Sequence, residues 1–523
     1  MLTHLRLSHP LLALVLAGCS DYSIDKGSSD TSSESRNDSA SVGDWADSDA
    51  DTDTDTDADG PSEEESDYLR LAPAATDQYV FVANPDRDTL TRVAVSTLEV
   101  RTVGVGRIPS TVQTTSDYRL AVTLDEGDDS LSVVYAETLA VTSVSIRDNM
   151  NQLSLSPDGG WGMAWYDPDA ESLGVSEGVT SFNEVSFVRT DPAVHFPMAV
   201  GYNPKGVRWS DDGKLAVVVS DGSLAVVDLT LEEPYARLIP LVDDQLDPPV
   251  AEEVVLSADG SFAFVRQRGV EDLLVVDLTA EVVDLLDVGE DPTDMDLSVD
   301  GERLSVVARS ARQVWTFDVE NPYATPSVVD FPSDQAYGSL TFTGDGQRAV
   351  LYTNATLVDS LAIWNLGDDS FDERSLVKPI ASVALSPVGD NAIIFHTKTN
   401  AAGMDSDDPF YNEWAVTLMQ TDGIGENRLL LPSEPTGYTM TDDNKWGFFI
   451  LDGETLVEAC SFTTLIPQLI DLPSEPVFVG TLPGHDVAWA SQQHDLGRLS
   501  FYDAAADSLD TITGFELNSE IEH

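Results

Sequence analysis

Four times the chain spells a Ser-x-Asp-Gly turn, at Ser156-Pro157-Asp158-Gly159, Ser210-Asp211-Asp212-Gly213, Ser257-Ala258-Asp259-Gly260 and Ser298-Val299-Asp300-Gly301. Degenerate copies follow at Thr343-Gly344-Asp345-Gly346, Ser386-Pro387-Val388-Gly389 and Thr441-Asp442-Asp443-Asn444. Serine and aspartate side chains bond nearby backbone N–H groups while glycine accepts a positive φ, so each copy is a tight hairpin turn with a structural job. Between the turns run short, β-branched segments such as LAVVVS and LLVVDL, and no helical apolar period is sustained over ten or more residues. Successive turns lie about 40 to 55 residues apart, the period of a four-stranded propeller blade. Adding the unpunctuated starts at Tyr79 and Tyr118 and the end at Asp486 gives about ten units. The spacing therefore predicts an all-β chain, a β-propeller of four-stranded blades with about ten repeat units and roughly 7 to 10 blades. One ring is expected, because about ten units divide badly into two rings that each must close.

The units also carry recurring words. Tyr79-Val80-Phe81-Val82-Ala83-Asn84 is a first element, Leu274-Val275-Val276-Asp277-Leu278-Thr279 a second, and Gly106-Arg107-Ile108-Pro109 and Gly289-Glu290-Asp291-Pro292 form a Gly-x-x-Pro step. On these motifs the chain resembles the YVTN family of bacterial, WD-repeat-like propellers over most of residues 79 to 517, most regularly over 79–398. The likeness weakens from Thr399 to Thr481, where AAGMDSDDPFYNEW stretches the spacing. What it implies is a fold and not a chemistry, since that superfamily hosts lactonases, quinone enzymes, surface-layer proteins and scaffolds.

The first residues, MLTHLRLSHPLLALVLAGCS, place an arginine, a short apolar run and small residues in the order of a secretory signal. The run is far shorter than the roughly 20 residues that span a bilayer. Leu16, Ala17, Gly18 and Cys19 match the lipobox of bacterial lipoproteins. That resemblance implies cleavage before Cys19 and lipidation of its thiol and new amino group, giving the several buried chains that stable anchoring requires. The other reading is an ordinary signal peptide with a chance cysteine. Ser20, not aspartate, follows Cys19, which by familiar sorting rules favours the outer membrane. Residues 1–18 are thus expected to be a signal peptide, 19–67 an acidic tether and 68–523 the propeller. The tether is Ser, Asp, Thr, Glu and Gly with almost no aliphatic residue, so it cannot offset the entropy of folding. Its coil size is roughly 40 Å, lengthened by self-repulsion.

DTDTDTDADG within that tether raises calcium. Asp55, Asp57, Asp59 and Gly60 match the first half of a calcium-loop pattern in register. The second half fails: Pro61 follows the glycine and Ser66 stands where the bidentate glutamate belongs. Weak, non-specific cation binding at Asp55, Asp57 and Asp59 is the expectation, and no specific metal site.

A formal net charge of −65 excludes phosphate backbones as partners, since these must be met by Lys and Arg. With Cys19 claimed by the lipobox, Cys460 is a lone thiol on an apolar strand and no disulfide can be drawn. His195, His396, His485 and His494 sit in different contexts with no H-x-H or H-x3-H pair, and no C-x-x-C-H, Gly-x-Ser-x-Gly or P-loop is present. Asp228, Asp277 and Asp318 recur after apolar strands, one per unit, which argues for turn capping over acid–base work. Trp161, Trp165, Trp315, Trp364 and Trp489 fall inside strands, where packing between blades is favoured over stacking a quinone or sugar. No catalytic residue and no cofactor is predicted. Two functions stand. One is an envelope-anchored, non-enzymatic propeller that binds protein, peptide or glycan and meets the membrane through its lipid. The alternative is a propeller hydrolase or lactonase with its site in the central funnel.

Overall fold

The computed structural model describes residues 73–170, 172–173, 182–242, 250–423, 425–494, 496–514 and 520–522. The lipobox residues Leu16, Ala17, Gly18 and Cys19, the tether and its Asp55, Asp57 and Asp59 lie outside the described residues.

Ten antiparallel sheets follow one another along the chain, each built from a contiguous stretch and each with four strands in sequence order. The second blade is representative: Pro109–Thr114 inside, then Leu120–Asp125, Ser130–Tyr135 and, outermost, Val141–Ser145. Leu120–Asp125 is buried at every position, because both faces of a middle strand pack against neighbouring sheets, whereas Val141–Ser145 is largely exposed. That gradient explains the unbroken apolar runs in the sequence. Apolar clusters bridge every joint of the ring. Val217 and Val226 of the fourth blade meet Ala263 and Val276 of the fifth. Val80 and Val93 of the first blade meet Trp489, Leu499 and Phe501 of the tenth, which closes the circle. Burying each aliphatic side chain contributes about 1.5–3 kcal/mol, so the joints dominate the stability. The chain then returns, and Glu520–Glu522 pairs in parallel with the outer strand Glu99–Gly104 of the first blade as a fifth strand.

The ring therefore has ten blades, the upper end of the sequence expectation. The frame differs from the repeat as read: Tyr79–Asn84 is the second strand of its blade, preceded by the short inner strand Ala74–Ala75. The stretched spacing after Thr399 is one insertion, residues 397–413, between the second and third strands of the eighth blade.

Each Ser-x-Asp-Gly copy joins the inner strand to the second strand. In the third blade Ser156 Oγ donates to Asp158 Oδ1 (2.7 Å) and accepts from Trp161 N (3.0 Å), while Asp158 Oδ1 accepts from Gly160 N (2.9 Å). The same three bonds recur at Ser257 with Asp259, Phe262 N and Ser261 N, and at Thr343 with Asp345, Arg348 N and Gln347 N. The second blade has the turn too, hidden from a glycine search. Thr115 bonds Asp117 and Leu120 N, and Tyr118 itself takes the left-handed position at φ +60°. The Gly-x-x-Pro step works by closeness: a Cβ on Gly106 would lie 2.6 Å from both Cβ and Oδ2 of Asp125.

Since strands alternate in direction, loops after the first and third strands gather on one end of the ring, the turn face. Loops after the second and fourth gather on the other, the loop face.

Candidate functional site

An inner strand has no strand neighbour on its axial side, so its edge N–H and C=O groups need other partners. Polar side chains of adjacent inner strands supply them. Gln113 Nε2 donates to Leu153 O (2.8 Å) and its Oε1 accepts from Leu155 N (3.1 Å). Arg208 Nε donates to Val254 O (2.8 Å), Glu253 Oε2 accepts from Met295 N (3.1 Å), and Asp294 Oδ2 accepts from Leu340 N (2.5 Å). Thr293 Oγ1 donates to Gly338 O (2.6 Å). Arg266 is clamped between Glu252 (2.5 Å) and Glu253 (3.2 Å). Glu253 and Asp294 are thus engaged as stitches between blades, while Glu252 pairs with Arg266 within the fifth blade. Among the described residues, no three His, Cys, Asp or Glu side chains gather in a way that could hold a metal ion.

The histidines stay apart. His195 Nε2 lies 3.1 Å from Ser186 Oγ on the outer half of the third blade. His485 and His494 flank Val487–Gln492 at opposite ends, hence on opposite faces. His396 is fully buried, its Nε2 2.7 Å from Thr417 Oγ1, and burial lowers its pKa to about 4. Asp228, Asp277 and Asp318 each accept N–H bonds two residues on, from Thr230, Thr279 and Glu320, and so cap turns. Trp161, Trp165, Trp364 and Trp489 are buried between blades and Trp315 partly so. Cys460 is buried, and burial raises its thiol well above the usual value.

Two further buried carboxyls had no sequence signal. Burial pushes Asp125 up to about 6, opposed by the hydroxyls of Ser132 (2.6 Å), Thr123 (2.8 Å) and Ser130 (3.3 Å). Burial alone lifts Glu458 to about 7 on the third strand of the ninth blade.

The loop face is where the ring departs from repetition. Its two long insertions, residues 166–183 and 397–413, follow the second strands of the third and eighth blades. Four blades lie between them on either side in a ring of ten, so they stand on opposite sides of the funnel mouth. Residues 172 and 173 of the first and the neck of the second are held from below. Glu126 of the second blade accepts from Ser172 Oγ (2.5 Å) and Leu173 N (2.8 Å). Lys378, with no exposed surface, donates its three N–H bonds to the carbonyls of Lys398 (2.8 Å), Phe410 (3.3 Å) and Glu413 (2.5 Å). A reciprocal Asn400–Asn412 pair, 2.7 Å in both directions, closes the neck of that loop. The lysine's only sequence hint was rarity, since the chain has six.

No protein-family model matches the chain, and no curated protein matches it. Solved structures do. Dihydro-heme d1 dehydrogenase NirN in complex with DHE is 14% identical over 76% of this chain and 74% of its own, with a TM-score of 0.43. AztD from Citrobacter koseri is 11% identical over 59% and 86%, with a TM-score of 0.38. The Cps50 (Swd1) propeller domain of Myceliophteria thermophila is 11% identical over 58% and 97%, at 0.33. The likeness is one of propeller architecture alone.

Beside the first insertion the loop face exposes aromatic rings. Tyr166, Phe182 and Tyr202 form a row with centroids 6.1 and 6.3 Å apart, and Phe182 and Tyr202 are 43% and 64% exposed. The opposite insertion presents Phe410 and Tyr411, half-buried, above the Lys378 clamp.

Proposed function

We propose that the chain is an envelope-anchored lipoprotein whose ten-bladed propeller binds a protein, peptide or glycan partner through its loop face, without catalysing a reaction. The observation that carries this reading is the contrast between the two faces. The turn face repeats short, self-satisfied turns, while the loop face carries both long insertions, with Ser172 and Leu173 of the first bonded to the buried Glu126 and the second fixed by the buried Lys378. Loops held rigid on a repeat scaffold are where binding function concentrates. The engagement of Glu253 and Asp294 across blades supports binding over hydrolysis.

Anchoring at Cys19, with Ser20 after it, directs the protein to the outer membrane in this reading, and the acidic tether holds the ring clear of anionic headgroups. Mass spectrometry of the N-terminal peptide should find Cys19 acylated, and Cys19→Ser should leave the protein in the soluble fraction. Pull-down from envelope extract with the ring lacking residues 1–67 should retain a partner; recovery only by the tethered form would remove the ring from the binding role. Stoichiometric divalent metal in the purified protein together with lactone hydrolysis would replace this reading with the enzymatic one.

A further inference from the structure

We infer that the outer edge of the fifth blade, Val282–Asp287, takes an extended segment of a partner protein as a fifth strand, one that carries aliphatic side chains together with Lys or Arg. This surface lies on the circumference of the ring and stands independently of the loop-face reading above. Three observations carry it. First, the fold accepts such an addition, since Glu520–Glu522 lies in parallel beside the outer strand of the first blade. Second, the edge of the fifth blade is open. Val282–Asp287 is the last strand of its sheet, so alternate N–H and C=O groups along it face outward with no strand beyond among the described residues. Proline and positive charge are the usual guards of such an edge. Pro197, Pro240 and Pro467 stand in the outer strands of the third, fourth and ninth blades, and Arg374 and Arg428 in those of the seventh and eighth. Val282–Asp287 has neither. The outer strands of the second, sixth and tenth blades also lack both, but each exposes at most one large apolar side chain, whereas the fifth exposes Val282 (45%) and Leu285 (62%).

Third, the side chains along this edge specify charge. Alternation puts Val282, Asp284 and Leu286 on the side of the sixth blade, where Leu286 joins the apolar cluster and Asp284 Oδ2 accepts from the Tyr323 hydroxyl (3.0 Å). Val283, Leu285 and Asp287 lie on the side of the fourth blade, where Val283 packs inward. The neighbouring Arg237 is taken by Glu281, and neither Asp284 nor Asp287 has a Lys or Arg partner among the described residues. Each side of the edge therefore offers one aliphatic side chain and, two residues on, one carboxylate without a cation. A strand added here meets both sides with an aliphatic residue and, two on, a Lys or Arg, while its backbone completes the ladder. The exposed Tyr323 ring, bonded to Asp284, gives a basic side chain a face to lie on. A second copy of the chain would set the same carboxylates and a net charge of −65 against themselves, so the edge rejects its own kind and favours a basic partner.

The test is fluorescence anisotropy with a labelled peptide of four Val-Thr-Lys repeats, which places valine and lysine two apart on both faces of a strand. It is titrated with the purified full chain at physiological ionic strength. Two counter-probes accompany it: the same peptide with Glu for every Lys, and the same peptide N-methylated at every backbone nitrogen, which keeps the charge but cannot donate a ladder bond. The parent peptide should bind and neither counter-probe should. Asp284→Lys and Leu285→Lys, both at exposed positions, should each weaken binding about tenfold, as central anchors do. Leu469→Lys, equally exposed on the outer strand of the ninth blade, should bind as the parent does. Circular dichroism checks that the variants keep the β-rich fold, and the N-methylated probe needs no variant. Equal binding of the N-methylated peptide would reduce the effect to general attraction by an acidic chain and overturn the added strand. So would unchanged affinity in Asp284→Lys and Leu285→Lys, or an equal loss in Leu469→Lys. A dimer of the parent chain that Leu285→Lys abolishes in sedimentation would give the edge to a second copy and overturn the basic partner.

Discussion

In most of the inner hairpins a single hydroxyl both donates to the turn carboxylate or its neighbour and accepts from a strand amide, which makes it the residue to test. Ser257 is 3% exposed, donates to Asp259 and accepts from Phe262 N at 2.9 Å. Ser257→Ala leaves that amide and the carboxylate short of a partner, and should lower stability by about 1–2 kcal/mol in urea denaturation. The serine, aspartate and glycine of these turns were readable because their chemistry is local. Tyr118 was not, because its left-handed backbone is imposed by the Thr115–Asp117 bonds and not by its own side chain. Glu458 was equally silent: a glutamate inside LVEACS reveals its burial only when the eighth and ninth blades come together. Its native pKa, raised to about 7, means that the folded state keeps a proton the unfolded chain has lost between the ordinary glutamate value and about 7. Stability from this group is complete at acid pH and falls as pH rises through that window. Glu458→Gln should therefore be more stable than the parent by about 2–3 kcal/mol near pH 8 and equal to it near pH 4. His396 pulls the other way as pH falls from its ordinary value toward about 4, but it is present in both proteins and cancels in the difference.

At the scale of an element, the insertion 397–413 shows how a loop can be made rigid without secondary structure. An ammonium surrounded by three carbonyls replaces the hydrogen-bond ladder that a strand would have provided. Lys378→Met fits the same volume but leaves three carbonyls unpaired, at a cost of about 1–3 kcal/mol each if they stay buried. The loop is expected to detach before the ring unfolds, so hydrogen exchange and proteolysis within 397–413 should rise while the unfolding midpoint of the blades moves little. Sequence placed the interruption here and gave its composition, but the clamp joins residues 20 to 35 positions apart and has no periodic signature.

For the whole molecule, the repeat period gave the architecture and the approximate number of blades, since every blade buries its own apolar runs against two neighbours. Closure was not legible. It depends on Val80 and Val93 meeting Trp489 and Phe501, residues some four hundred positions apart, and on Glu520–Glu522 settling beside Glu99–Gly104. A ring with so much negative charge gains from screening, so its melting temperature should rise by several degrees from low to moderate salt, whereas a fall would mean that ion pairs such as Arg266 with Glu252 dominate. The returning strand adds to the outside of the first blade and takes the place of none of its four. The four strands of every blade are consequently folded from one unbroken length of chain, with Glu520–Glu522 only an added edge, so the ring can be opened at another joint without dividing a blade. A circular permutant that joins the two ends and opens at residues 432–434, between the eighth and ninth blades, should assemble the same ring and give the same far-ultraviolet spectrum.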